Sequence, residues 1–93
     1  MNQLSDIRRI AAGDSAAFGR LVAAHQGMIF GYLGRMGLDA ASAEDIAQET
    51  FLRLWRHAVG YAAERASVTT WLLTIARNLA LNHLARPARR VET

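Results

Sequence analysis

The chain has 93 residues, with 11 basic residues (all Arg), eight acidic residues and a net charge of +3. It holds no cysteine, which excludes a disulfide framework and a thiolate metal site. No stretch approaches the roughly 20 apolar residues of a membrane span, and the N-terminus lacks a signal-peptide pattern, so the expected location is the cytoplasm. With 52% apolar and 20% charged residues the chain is not a disordered one. Abundant Ala, few β-branched residues and a single Pro predict one small all-α domain.

Charge is uneven along the chain. Residues 1–46 carry four Arg against five acids, and residues 47–93 carry seven Arg against three acids. The basic end is the end where nucleic acid would be met.

Leu4–Ala12 reads as a short helix, with Leu4, Ile7, Ile10 and Ala11 at helical spacing. Gly13 is placed to stop it, and Asp14 to cap the next helix. That second helix is expected from Ser15 to Met36. Its apolar side is Phe18, Leu21, Val22, Met28, Ile29, Tyr32, Leu33 and Met36. Gly19, Gly27, Gly31 and Gly34 lie inside it, which suggests close approach by another helix or a kink near Gly27. Gly37 closes it.

Leu38–Ala41 reads as a tight connection. Ser42 and Asp45 form an S-x-x-D capping box, which predicts a third helix from Ala43 to about Ala58. Its inner side is Ala43, Ala47, Thr50, Phe51, Leu54 and Ala58. The outward side carries Asp45, Gln48, Glu49, Leu52, Arg53 and Arg56. Leu52 is either ordinary exposed surface or the apolar centre of a protein contact.

Val59–Ser67 is the longest stretch without helical period, and Ser67 suits the N-cap of a last helix that Pro87 ends. On a helical wheel Leu72, Ile75, Ala76, Leu79, Ala80 and His83 share one side. Thr70, Thr74, Arg77, Asn78, Asn82 and Ala85 share the other, with Leu81 among them. This second side has hydroxyls, amides and a guanidinium but no carboxylate, and Arg86, Arg89 and Arg90 follow it. Such a face is either plain solvated surface or one suited to base edges and phosphates.

Catalytic chemistry is not expected. His25, His57 and His83 fall on separate helices, without a partner at metal-ligand spacing, and there is no Gly-rich phosphate loop. Glu44 and Asp45 are adjacent and point about 100° apart. No enzyme activity and no cofactor are anticipated.

The paired segments AEDIAQETFLRLW (Ala43–Trp55) and TWLLTIARNLALNHL (Thr70–Leu84) resemble region 2 of bacterial sigma factors, most nearly the extracytoplasmic-function (ECF) subfamily of the sigma-70 family. GDSAAFGRLVAAHQ (Gly13–Gln26) fits the start of that region. The resemblance implies a bundle of three long helices plus a short N-terminal one. It implies binding to RNA polymerase core, and recognition and melting of the promoter minus-ten element through the non-template strand. Carried over by position, Asp45, Gln48, Glu49, Leu52 and Arg53 would dock on the clamp helices of the β′ subunit. The following loop, Val59–Thr70, would receive a flipped base. There Tyr61 and Arg65 would supply stacking and charge, or Tyr61 would pack on the core. Thr74, Arg77, Asn78 and Asn82 would face the strand, and Arg86, Arg89 and Arg90 the phosphates. The family commonly has aspartate where Asn82 stands and a basic residue where Ala85 stands.

The resemblance further implies that residues 1–86 form the region 2 domain and 87–93 begin a flexible linker, with region 4 absent from this chain. An anti-sigma factor is an expected partner, and a monomer the simplest state. The alternative is a sigma-like mimic, or an anti-sigma-binding module, that does not bind DNA.

Overall fold

The computed structural model describes residues 3–60 and 67–86. Four α-helices follow one another: α1 (Gln3–Ala11), α2 (Ser15–Arg35), α3 (Ala40–His57) and α4 (Val68–Ala85), with a 3-10 turn at Ala58–Gly60 after α3. Helix α2 is the central element and packs on α1, α3 and α4. Among the described residues there is no strand, and the bundle of three long helices and one short one is the expected all-α class.

The helix ends are built from local chemistry. α1 and α2 both stop at a glycine with positive φ, +94° at Gly13 and +97° at Gly37. Only glycine enters that region without strain. At each stop the chain makes the paired bonds of a Schellman motif. Gly13 N–H reaches the Ile10 carbonyl and Asp14 N–H the Arg9 carbonyl, both at 2.9 Å. At the second stop Gly37 N–H reaches the Gly34 carbonyl at 3.0 Å and Leu38 N–H the Leu33 carbonyl at 3.3 Å. Leu38 and Leu33 are both buried, which supplies the apolar contact of this motif. Asp14 also begins α2, accepting the Ala17 N–H at 3.1 Å, and Ser67 begins α4, accepting the Thr70 N–H at 3.1 Å. Both caps are where the sequence placed them.

The start of α3 differs from expectation. Its N-cap is Asp39, extended at φ −75° and ψ 171°, and the Asp39 carboxylate accepts the Ser42 N–H at 2.8 Å. The helix therefore begins three residues before the predicted Ala43. Ser42 occupies the third helical position and gives its backbone donor to the cap. The reason is that a carboxylate accepts from backbone N–H more strongly than a hydroxyl, and Ala40 and Ala41 are strong helix formers.

The core is continuous through the bundle. Ile29 and Leu33 of α2, Leu54 of α3 and Leu72 of α4 have no more than trace exposure. Thr50 is equally buried and donates its hydroxyl to the Ile46 carbonyl at 2.8 Å, so its polar atom is satisfied. The glycines of α2 do not serve close packing. A Cβ added at Gly19, Gly27 or Gly34 would meet nothing within 4 Å, and one at Gly31 only the Arg35 side chain at 3.4 Å. α2 runs as one α-helix through Gly27. The expectation of close approach fails because these glycines turn away from the core; all but the half-buried Gly31 are exposed.

Candidate nucleic-acid interface and docking face

α4 divides as its periodicity requires. Val68, Leu72, Ala76 and Ala80 are buried. Thr70, Thr74, Arg77, Asn78, Leu81, Asn82, Ala85 and Arg86 are exposed. At 1.5 Å per residue, Thr74 and Arg86 stand about 18 Å apart along the axis, so the row spans several nucleotides. No acidic residue lies anywhere in α4. No carboxylate among the described residues pairs with Arg77. The row begins in a hydroxyl ladder: Ser67 Oγ donates to Thr70 Oγ1 at 3.1 Å, and Thr74 Oγ1 donates to the Thr70 carbonyl at 2.9 Å. These bonds use the hydroxyl hydrogens of Ser67 and Thr74, and each oxygen keeps acceptor capacity.

Of the anticipated nucleic-acid residues, the structure brings Thr74, Arg77, Asn78 and Asn82 to the exposed side of α4 and sets Arg86 at its C-cap. Tyr61, Arg65, Arg89 and Arg90 lie outside the described residues.

The outward side of α3 is the second anticipated surface. Asp45, Gln48, Leu52 and Arg53 are exposed on it. Glu49 is half-buried and engaged within its own helix. Arg53 Nε lies 3.1 Å from its Oε2 and Arg56 Nη1 3.4 Å from the same oxygen. The hydrogen bond from Arg53, joined by Arg56, holds the Glu49 carboxyl below the usual glutamate range. Glu49 thus orients the two guanidiniums, and Asp45 is the acid this face offers outward.

Beside Leu52 the surface is not flat. Phe18 and Val22 of α2, with Gln48, Phe51 and Leu52 of α3, line a hollow of about 280 Å³. An adjoining hollow of about 170 Å³ continues past Gln26, Phe30 and Glu44. Phe18 is fixed edge-on against Trp55, with ring centroids 5.1 Å apart and planes at 63°. Leu52 and Phe30 are 44% and 39% exposed, enough to reach a partner and too apolar to be indifferent to one. The sequence pointed to Leu52 but not to the α2 wall of this groove. Phe30 falls off the apolar stripe of α2, and an aromatic on the polar side of a helix was the available signal.

His25 is buried at 4% exposure, a packed core residue. Among the described residues no cluster of His, Asp and Glu could hold a metal ion, and no helix is long and apolar enough to cross a membrane.

The model of the family described as sigma-70 region 2 matches residues 21–90. The RNA polymerase sigma-H factor of Pseudomonas aeruginosa is 40% identical over 84 residues, covering 90% of this chain and 43% of that protein. The ECF RNA polymerase sigma factor BldN of Streptomyces coelicolor is 35% identical over 86 residues, covering 92% of this chain and 33% of that protein. The chain therefore spans less than half the length of these curated relatives. Among solved structures, an engineered region 2 of sigmaE in complex with GTAAAA, determined by NMR, superposes with a TM-score of 0.85. It is 28% identical, and the match covers 100% of this chain and 96% of that one. A family match over most of the chain and a superposition over all of it leave one assignment: this chain belongs to the sigma-70 region 2 family.

Proposed function

We propose that this chain is the promoter-recognising part of an ECF-type sigma factor, a non-catalytic initiation factor acting in the cytoplasm. It docks on RNA polymerase core and captures non-template-strand bases of the minus-ten element. The observation that carries this reading is the exposed row of α4, Thr74, Arg77, Asn78 and Asn82, on a helix without a carboxylate, followed by the exposed Arg86 at its C-cap. Amides there read base edges, and guanidiniums hold phosphates. Tyr61 and Arg65 are assigned to the base-receiving loop, and Arg89 and Arg90 to phosphates, on the family resemblance. Asp45, Gln48, Leu52 and Arg53 form the face for the β′ clamp helices, with Glu49 aligning Arg53. An anti-sigma factor that covers these faces is the expected regulator.

The test is binding of a fluorescent non-template-strand oligonucleotide with a minus-ten-like sequence, beside a scrambled strand, over a salt series. The proposal expects selective, salt-sensitive binding that Asn78→Ala weakens. Equal binding of both strands would reduce α4 to a basic surface and remove strand recognition from this domain.

A further inference from the structure

The polar row of α4 is useful to a strand only if the helix is fixed in rotation. Side-chain tips stand about 5–6 Å from a helix axis, so a turn of 20° moves them by about 2 Å. That displacement is enough to break a hydrogen bond to a base edge. The inner side of the first turn is held by Val68 and Leu72, both buried and apolar. Apolar burial sets which side of α4 faces inward but carries none of the directionality of a hydrogen bond.

A directional contact is present on that same turn. His25 of α2 places Nδ1 2.9 Å from the Leu21 carbonyl. A carbonyl only accepts, so Nδ1 carries the hydrogen, and in that tautomer Nε2 is the acceptor. Nε2 lies 3.5 Å from Thr69 Oγ1, so the Thr69 hydroxyl donates to it. Thr69 stands between the Ser67 cap and Trp71, whose backbone N–H bonds the Ser67 carbonyl at 2.9 Å.

Resting on the proposed strand recognition, we infer that His25 is a positioning residue for it: through Thr69 it sets the rotation of the first turn of α4, and with it the aim of Thr74, Arg77 and Asn78. His25 itself is buried in the bundle and touches no nucleotide.

The experiment uses the full chain with Thr69→Val, which keeps the shape and removes the hydroxyl, and Thr69→Ser, which keeps the hydroxyl. Three quantities are read: the affinity ratio of the minus-ten-like strand over the scrambled strand, the salt slope, and amide exchange at Thr70 and Trp71. In Thr69→Val the ratio is expected to fall roughly three- to tenfold, the effect of one lost hydrogen bond. The salt slope stays unchanged, exchange at the two amides rises, and Thr69→Ser recovers the ratio. A Thr69→Val chain with the wild-type ratio and exchange overturns the positioning role alone. Equal losses in both variants overturn it too, because packing and not the hydroxyl would then be responsible. A wild-type chain without selectivity overturns strand recognition itself, and the positioning role falls with it; the wild-type arm alone reveals that case.

Discussion

Thr69 Oγ1 meets His25 Nε2 at 3.5 Å, although 44 residues separate the two in the chain. The contact ties the first turn of α4 to the middle of α2. Replacing Thr69 by Val removes this hydrogen bond, and the expected cost is about 1 kcal/mol. Urea denaturation of the two chains measures it.

The cap of α3 gives a comparison between neighbouring residues. Asp39→Ala is expected to lower the denaturation midpoint clearly, and Ser42→Ala to change it little, because the carboxylate and not the hydroxyl accepts the first-turn N–H. Equal effects would contradict the observed cap. The backbone hydrogen bond from Ser42 holds the Asp39 carboxyl below its usual range, assisted by the Ser42 side chain and the charge of His83. A carboxylate depressed in the folded state stabilises the fold above its unfolded-state pKa. That contribution is lost as pH falls from about 4 through the folded value. Glu49, depressed first by Arg53, adds in the same direction. The fall of stability as pH drops from about 4 through the folded value should therefore be smaller in Asp39→Ala than in wild type, because the variant has no such carboxylate to protonate.

The glycines within α2 and just after it divide into two kinds. Gly27→Ala is expected to raise stability by about 0.5–1 kcal/mol, since the position is helical and its Cβ would enter open space. Gly37→Ala is expected to lower it by about 1 kcal/mol or more, because φ is +97° there. Thermal unfolding of the two variants should move in opposite directions.

On the docking face, Leu52→Asp is expected to abolish binding to a clamp-helix fragment of β′ while leaving oligonucleotide binding intact. Leu52 is exposed, so the fold tolerates the change. Leu52→Ala should weaken the same interaction about tenfold or more if Leu52 is the apolar centre of the contact. Titration calorimetry with the fragment distinguishes these outcomes.

On the strand face, Arg77→Ala should weaken all oligonucleotides alike and reduce the slope of log K against log salt by about 0.7, the value for one phosphate contact on a single strand. A change in sequence preference without a change in slope would assign Arg77 to a base instead.

Much of this was legible in the sequence, for definite reasons. The division of α4 follows from the helical spacing of Val68, Leu72, Ala76 and Ala80, with Leu81 and Leu84 as exposed exceptions. Gly13, Asp14, Gly37 and Ser67 signalled their turns because each residue type has few competing uses at such a place. The start of α3 was misplaced because Ser42 and Asp45 match a capping box, whereas the cap is Asp39, which the sequence reading left in the connection. Two further features lie between helices and have no period of their own. The α2–α3 groove depends on where Phe30 and Leu52 come to stand relative to each other. The His25–Thr69 contact depends on the depth at which α4 crosses α2. The glycines of α2 misled because composition does not say which side of a helix a small residue faces.

Asp14 finishes one helix and begins the next with different atoms: its N–H closes α1 at the Arg9 carbonyl and its carboxylate opens α2 at Ala17. The elbow between these helices therefore contains no spare residue. One residue inserted after Gly13 would force a choice between the two functions of Asp14, whereas the same insertion at the exposed Val59–Gly60 step meets no such double duty. Any tolerance of this domain for length change is accordingly polarised, with α1 and α2 inherited as one unit and the exposed Val59–Gly60 step free of that constraint.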